Sequence, residues 1–363
     1  MTSTSTILFS GGGTGGHLFP GIAVAEALRD IEPDARCVFV GSGREVERKL
    51  AVDNELEHLV LPVEPSTGLR RNPVRFAWRY WRSRREARGL IDALRPSAVV
   101  GLGGFASVPV VSAAAAARVP TILLEQNAVP GRATRWLAKR AALVCLSFEE
   151  AAAGLPRGAR TRVTGNPVRR AVAALHEMER TAGTPTLLVL GGSQGAAALN
   201  EMVPRALRAL RETASGWRVV HQTGAGNEGA VRRAYHDAGV DAEVSPFFPD
   251  LPARLAAATL AVSRAGGTML AELACAGCPA VLVPYPGSLA DHQLLNARAY
   301  ERAGAARVVA QSPVSSETVA TLFATLSPLL GESPRRGEMS RRMRELARPQ
   351  AARDVARLVL EST

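Results

Sequence analysis

The stretch Phe9-Ser10-Gly11-Gly12-Gly13-Thr14-Gly15-Gly16-His17-Leu18-Phe19-Pro20 organises the reading of the chain. It grows out of the apolar run Ile7-Leu8-Phe9, which predicts a first β-strand, and leads into Gly21-Ile22-Ala23-Val24-Ala25-Glu26-Ala27-Leu28, which predicts an amphipathic helix. Glycines between a strand and a helix let the backbone take positive φ and come close to a ligand. The N–H groups of the helix's first turn then face an anion, most often a phosphate. His17 ends the loop and puts a titratable group where a bound substrate would sit.

Gly11-x-Gly13-x-x-Gly16 matches the dinucleotide fingerprint, but that reading needs a carboxylate at the end of the second strand to hold a ribose. The predicted second strand, Cys37-Val38-Phe39-Val40-Gly41, ends in Ser42-Gly43. No lysine follows the glycines either, so a P-loop is set aside with the dehydrogenase.

Outward from this stretch, strand and helix alternate. A helix is expected over 44–52, and further strands at Glu57–Pro62, Ser97–Leu102, Thr121–Glu125 and Leu143–Ser147. Short strands rich in Val, Leu and Ile and spaced by helices imply a parallel sheet covered on both faces. Ligands bind such sheets at the carboxyl ends of the strands. A second glycine turn, Gly103-Gly104-Phe105-Ala106-Ser107, follows the fourth strand, and the polar triplet Glu125-Gln126-Asn127 closes the fifth. Both would share the sheet edge of His17.

Thr164-Gly165-Asn166-Pro167 interrupts the pattern and places a domain boundary at 164/165. The alternation then restarts. Thr186–Leu190 leads into Gly191-Gly192-Ser193-Gln194-Gly195-Ala196 and a helix over 197–210, and strands follow at Arg218–Gln222, Ala242–Val244, Leu260–Ser263 and Ala280–Pro284. The third of these runs into Arg264-Ala265-Gly266-Gly267, a turn that opens a helix carrying Glu272, and Asp291-His292-Gln293 opens another. A basic helical segment over 334–360 ends the pattern. The expectation is two similar α/β halves with a ligand cleft between them.

At 363 residues and 47% hydrophobic composition, two domains of ordinary size are expected. The net charge of +11 comes almost wholly from arginine, the only lysines being Lys49 and Lys139. Such a surplus attracts anionic partners, though an arginine-preferring genome would produce it too. Arginines and aromatics concentrate over 68–85. On a helix starting near Pro73, Val74, Ala77, Trp78 and Trp81 share a face, Arg75, Arg79 and Arg82 lie on its flank, and Phe76 and Tyr80 extend the aromatic surface. That suits an anionic bilayer surface, and a core-packing helix with a solvated basic side fits as well. A single helix without a recognition module argues against nucleic acid. Cys275 and Cys278 have C-x-x-C spacing without a second pair, so inert buried thiols are expected in place of zinc. The opening Met1-Thr2-Ser3-Thr4 lacks a basic n-region, and no apolar run reaches about 18 residues, so neither a signal peptide nor a membrane span is expected.

Taken in order, Gly11–Pro20, Gly103–Ser107, Glu125–Asn127, Gly165-Asn166-Pro167-Val168-Arg169, Gly191–Ala196, Arg264–Glu272 and Asp291-His292-Gln293-x-x-Asn296-Ala297 resemble the MurG family of UDP-N-acetylglucosamine-dependent glycosyltransferases, over nearly the whole chain. The resemblance implies a GT-B fold: two Rossmann-like, doubly wound parallel-sheet domains facing an interdomain cleft. The first, 1–164 completed by a C-terminal helix at 345–363, would take lipid I and associate with membrane, and the second, 165–344, would bind UDP-GlcNAc. It further implies that Gly266, Gly267, Thr268 and Met269 face the diphosphate and Glu272 the ribose. The backbone around Phe248 would border the uracil, with Ser193 and Arg169 contacting the nucleotide. Gln293, Thr14, Gly15, Gly16 and Asn127 would bind the sugar, and Gly103, Gly104, Ser107 and Glu125 lie on the acceptor side. Met269 stands where many family members carry a hydroxyl residue, and Val108 where a glycine is common. The implied setting is peptidoglycan synthesis at the cytoplasmic face of the plasma membrane, with cell-wall synthesis and division proteins as partners and the anionic membrane surface met through 73–85.

Transfer from an α-linked donor to a β-linked product inverts the anomeric carbon in one displacement. A base must take the acceptor's proton, and His17 is the candidate because imidazole as a side-chain type titrates near neutrality. Its place at a helix N-terminus disfavours the protonated form. The alternative is that His17 positions a substrate. No Asp-x-Asp occurs, so the sequence requires no metal or other cofactor, though Mg²⁺ is compatible with it.

Overall fold

The computed structural model describes residues 5–12, 15–63, 72–179, 183–192, 194–288 and 291–363. Thr14 and Ser193, both expected at the site, lie outside the described residues, as do 68–71 of the basic stretch.

Strands β1 (Thr6–Ser10), β2 (Arg36–Gly41), β3 (Glu57–Val60), β4 (Ala98–Gly101), β5 (Thr121–Glu125), β6 (Leu143–Leu146) and β7 (Thr161–Val163) form one parallel sheet in the order β3-β2-β1-β4-β5-β6-β7. A second parallel sheet contains β8 (Thr186–Leu190), β9 (Arg218–Gln222), β10 (Ala242–Ser245), β11 (Leu260–Ser263), β12 (Ala280–Leu282) and β13 (Ala306–Val308), ordered β10-β9-β8-β11-β12-β13. Counted from each sheet's own first strand, both follow the doubly wound order 3-2-1-4-5-6, and β7 extends the first. The winding reverses between β1 and β4 in one sheet and between β8 and β11 in the other, and that reversal opens a crevice at the carboxyl ends. All four glycine turns follow these strands.

Strands β7 and β13 were not anticipated. Thr161-Arg162-Val163 is exposed throughout, so it carries no apolar run to betray it. The segment over 334–360 is two helices, Ser333–Glu345 and Ala351–Leu360, separated around Pro349, whose ring and missing N–H stop an α-helix.

The chain divides into one unit of Met1–Arg170 with Gln350–Thr363 and another of Ala171–Pro349. Residues 165–170 thus go with the first unit: Arg169 lies over the Phe19 ring at 4.7 Å and Arg170 pairs with Asp30 at 2.6 Å. The Ser333–Glu345 helix belongs to the second unit, where Met339 joins the core of Leu187, Val189 and Leu207. The last helix buries Val355, Ala356, Leu358 and Val359 beside Ile7 and Val100 of the first sheet and Ile22 of the helix Gly15–Ile31.

Asn72 caps the helix Pro73–Leu94 by accepting the Arg75 N–H at 2.9 Å. Trp78 and Trp81 are 57% and 59% exposed, so that face does not pack into a core. Phe76 departs from the expected surface: it is buried against Phe105, with ring centroids 5.2 Å apart, because it points back at the second glycine turn. Tyr80 is half-buried, edge-on to Trp136. Among the described residues no helix is long and apolar enough to cross a membrane. The four cysteines are buried free thiols, and burial pushes Cys145 and Cys275 up to about 12.

Candidate functional site

In the first unit, β1 and β4 deliver their glycine turns to the same place. His17 is the third residue of the helix Gly15–Ile31 and is half-buried, with Gly15 buried and Gly16 exposed beside it. A Cβ on Gly103 would sit 3.1 Å from His17 Cδ2, so the glycine is what lets the imidazole lie against the second turn. The Gln126 side chain donates to Leu102 O at 3.0 Å and fastens the end of β5 to the loop after β4. Ser107 is buried, and its hydroxyl donates to Gly104 O at 2.9 Å. Glu125, also buried, accepts from Asn127 N at 3.1 Å, Asn127 Nδ2 at 3.2 Å and Gly131 N at 2.9 Å. Burial raises its pKa above the usual carboxylate range, against the lowering effect of these bonds. The carboxyl group thus shapes the loop that presents Asn127.

The floor of the first turn is a glutamate. Glu47 is buried and accepts from Ser42 Oγ at 2.8 Å, Gly43 N at 2.9 Å and Arg44 N at 3.2 Å. A Cβ on Gly12 would lie 2.2 Å from its Oε1.

In the second unit, the turn after β11 opens the helix Gly267–Cys275 with Gly266 as its N-cap. Gly266 has an ordinary φ of −70°, and a Cβ there would meet nothing within 4 Å among the described residues beyond its chain neighbours. Neither backbone strain nor packing calls for a glycine. Thr268 and Glu272 are buried and Met269 is half-buried on the same helix. Just before it, the Arg264 guanidinium donates to Val283 O at 2.9 Å and Pro284 O at 3.2 Å and stacks over Tyr285 at 5.5 Å. Burial holds its pKa below the usual guanidinium range. Gln293 joins this group, its Oε1 accepting from Tyr285 N at 3.0 Å.

The turn after β8 meets the end of β9. A Cβ on Gly195 would fall 2.0 Å from Thr223 O, so only glycine allows the two backbones to approach. Gln222, buried at the last position of β9, donates from Nε2 to Gly192 O at 2.9 Å and accepts at Oε1 from Phe248 N at 3.4 Å. Phe248 itself is buried beneath Arg254. Behind the turn, His221 bonds the Tyr235 hydroxyl through Nδ1 at 2.8 Å and Asn200 Oδ1 through Nε2 at 3.1 Å, and Asn200 donates to Thr223 O at 3.0 Å. Burial lowers the His221 pKa to about 3, so the imidazole is neutral.

The structure therefore brings His17, Gly103 and Gly104 together in one unit, with Asn127 on the neighbouring loop, and gathers Gly266, Gly267, Thr268, Glu272 and Gln293 in the other. Arg169 stands with Phe19 in the first unit. Glu47, Arg264 and Gln222 were not singled out from sequence. For Gln222 a signal existed: the polar run His221-Gln222-Thr223 closes an apolar strand much as Glu125-Gln126-Asn127 does.

Two doubly wound sheets with glycine turns at their reversal points make the GT-B fold, the fold of one large class of glycosyltransferases. Residues 7–145 match the glycosyltransferase family 28 N-terminal domain and residues 186–355 the family's C-terminal domain, and the chain belongs to this family. It is 40% identical to the UDP-N-acetylglucosamine–N-acetylmuramyl-(pentapeptide) pyrophosphoryl-undecaprenol N-acetylglucosamine transferase of Syntrophotalea carbinolica, covering 97% of each chain. The protein of the same name from Hahella chejuensis is 40% identical, with 99% of each chain covered. Among solved structures, the crystal structure of Acinetobacter baumannii MurG superposes with a TM-score of 0.77 at 29% identity, over 98% of this chain and 99% of that one.

Proposed function

We propose that this enzyme moves GlcNAc from UDP-GlcNAc to the 4-hydroxyl of the N-acetylmuramyl-pentapeptide on undecaprenyl diphosphate, that is, lipid I to lipid II, with inversion at the anomeric carbon. The observation that carries the reading is Gly266. Among the described residues its missing side chain leaves open space at a helix N-terminus, where the first-turn N–H groups and the helix dipole favour a diphosphate. The near-full-length relatives of that activity support the same substrates.

In this reading the second unit carries the donor. Gly266, Gly267, Thr268 and Met269 hold the diphosphate, Glu272 the ribose, the Phe248 backbone the uracil and Gln293 the sugar, while Ser193 and Arg169 complete the nucleotide contacts. The first unit carries the acceptor on its turns at Gly103, Gly104 and Ser107. Glu125 serves that side by holding Asn127, which binds the sugar with Thr14, Gly15 and Gly16. His17, in the first turn of its helix, takes the proton from the attacking hydroxyl. Helix N-termini and Arg169 stabilise the departing UDP.

The reading also gives the exposed Trp78–Trp81 face a purpose. Arg82 stacks over Trp78 at 6.0 Å and Arg85 over Trp81 at 5.9 Å, which makes a cationic, aromatic surface suited to anionic headgroups at the cytoplasmic face of the plasma membrane. Replacing both tryptophans by serine should weaken sedimentation with phosphatidylglycerol vesicles, and unchanged sedimentation would remove this part of the proposal. The central test supplies purified protein with UDP-GlcNAc and a lipid I analogue and measures UDP release. Turnover with a different acceptor, and none with lipid I, would overturn the assignment.

A further inference from the structure

We infer that Gln222 is a positioning residue for the donor nucleotide: its side-chain amide ties the loop after β8 to the loop after β10 and so sets the spacing of the two walls against which the nucleotide lies. This rests on the reading above that the second unit holds UDP.

The argument begins with register. Gln222 is paired with Leu190 on one side and with Ser245 on the other, the last residues of β8 and β10, so it ends the strand that runs between them. Its side chain reaches past both strand ends. Nε2 donates to Gly192 O in the turn that carries Ser193, and Oε1 accepts from Phe248 N. The two bonds fix the amide's orientation, because a flipped amide would set N–H against N–H and carbonyl against carbonyl. A buried amide bonded at both ends cannot shift without leaving a partner unsatisfied.

The backbone already secures the fold around this point. Thr223 N donates to Ser245 O at 3.0 Å, Gly224 N to Pro246 O at 3.1 Å, and Thr223 O lies against Gly195. What the amide adds is a link between Gly192 and Phe248, one step nearer the ligand on each loop. Its loss should therefore loosen the nucleotide's walls more than it loosens the unit.

The test is UDP binding by the full chain, measured by calorimetry alongside thermal unfolding. Gln222→Met removes both bonds at similar volume. It should weaken UDP about tenfold and raise the donor KM, with kcat and the acceptor KM nearly unchanged and the unfolding temperature lowered only modestly by the two backbone groups left without a partner. Gln222→Glu keeps the acceptor for Phe248 N–H and, when ionised, turns a second acceptor on Gly192 O. Protonation restores the donor, so the ratio of wild-type to Gln222→Glu affinity should narrow from pH 8 to pH 5.5. UDP affinity in Gln222→Met equal to wild type, or a ratio flat with pH, would overturn the inference. Failure of the wild type itself to bind UDP would overturn the reading of the site, and the inference with it.

Discussion

The first and fourth glycine turns look alike in sequence and are built for different purposes. At Gly12 the room for a side chain is already taken, because the Glu47 carboxyl stands 2.2 Å from where a Cβ would be. Gly11 likewise abuts Leu102, with 2.7 Å from its would-be Cβ to that residue's own. These glycines serve packing, and the group beneath them is an acid that would repel a phosphate. At Gly266 no atom of the described residues beyond its chain neighbours lies within 4 Å of the missing Cβ, and the neighbouring cation is Arg264. The uncharged supports of the third turn, the Gln222 amide and neutral His221, match this. Gly11 and Gly12 are thus filled by their own protein, whereas Gly266 leaves space at a helix N-terminus, which the reading above gives to the ligand. The contrast argues for the diphosphate on the second unit and the less charged sugar hydroxyls near the first turn.

The sharpest way to break this comparison is to add one methyl group to each turn. Gly12→Ala must displace a carboxylate that holds Ser42, Gly43 and Arg44 in place. It should cost about 3 kcal/mol of stability, read as a lower unfolding temperature. Gly266→Ala should unfold with wild type yet bind UDP at least about tenfold more weakly. Wild-type UDP affinity in Gly266→Ala would mean that the vacant space is not the ligand's.

Much of this was legible in the chain itself. Apolar runs such as Leu187–Leu190 and Leu260–Ser263 announce buried parallel strands, and a glycine turn after such a run announces a ligand edge. Glu47 was not legible as the floor of the first turn, because 35 residues of chain separate it from Gly12 and only the pairing of β1 with β2 brings them together. Gln222 escaped for the same reason: its role depends on which strands flank β9. Phe76 could not be told from its neighbours Ala77 and Trp78, since helical periodicity assigns a face without saying what covers it.

The support beneath the third turn offers a pH test of about 2 kcal/mol. The unfolded imidazole of His221 titrates near 6.5 and the folded one near 3. Above pH 6.5 both states are neutral and the group has no effect. As pH falls below 6.5 the unfolded chain takes up a proton that the folded one refuses, so stability declines by about 1.4 kcal/mol per pH unit until pH approaches 3. By pH 5 the loss is about 2 kcal/mol. His221→Gln should therefore show a shallower fall in unfolding temperature between pH 6.5 and 5 than wild type. Parallel slopes would mean that the uncharged platform is not what acid attacks.

The smallest effect separates shaping from contact on the acceptor side. The Ser107 hydroxyl already donates to Gly104 O within its own turn, and the side chain is buried. If that bond is its whole contribution, Ser107→Ala should cost about 1 kcal/mol and lower the unfolding temperature slightly, with kcat/KM for the lipid acceptor within about threefold of wild type. A loss of acceptor kcat/KM well beyond this, at unchanged stability, would make the hydroxyl a substrate contact. The second turn would then resemble the vacant turn at Gly266 more than the packed one at Gly12.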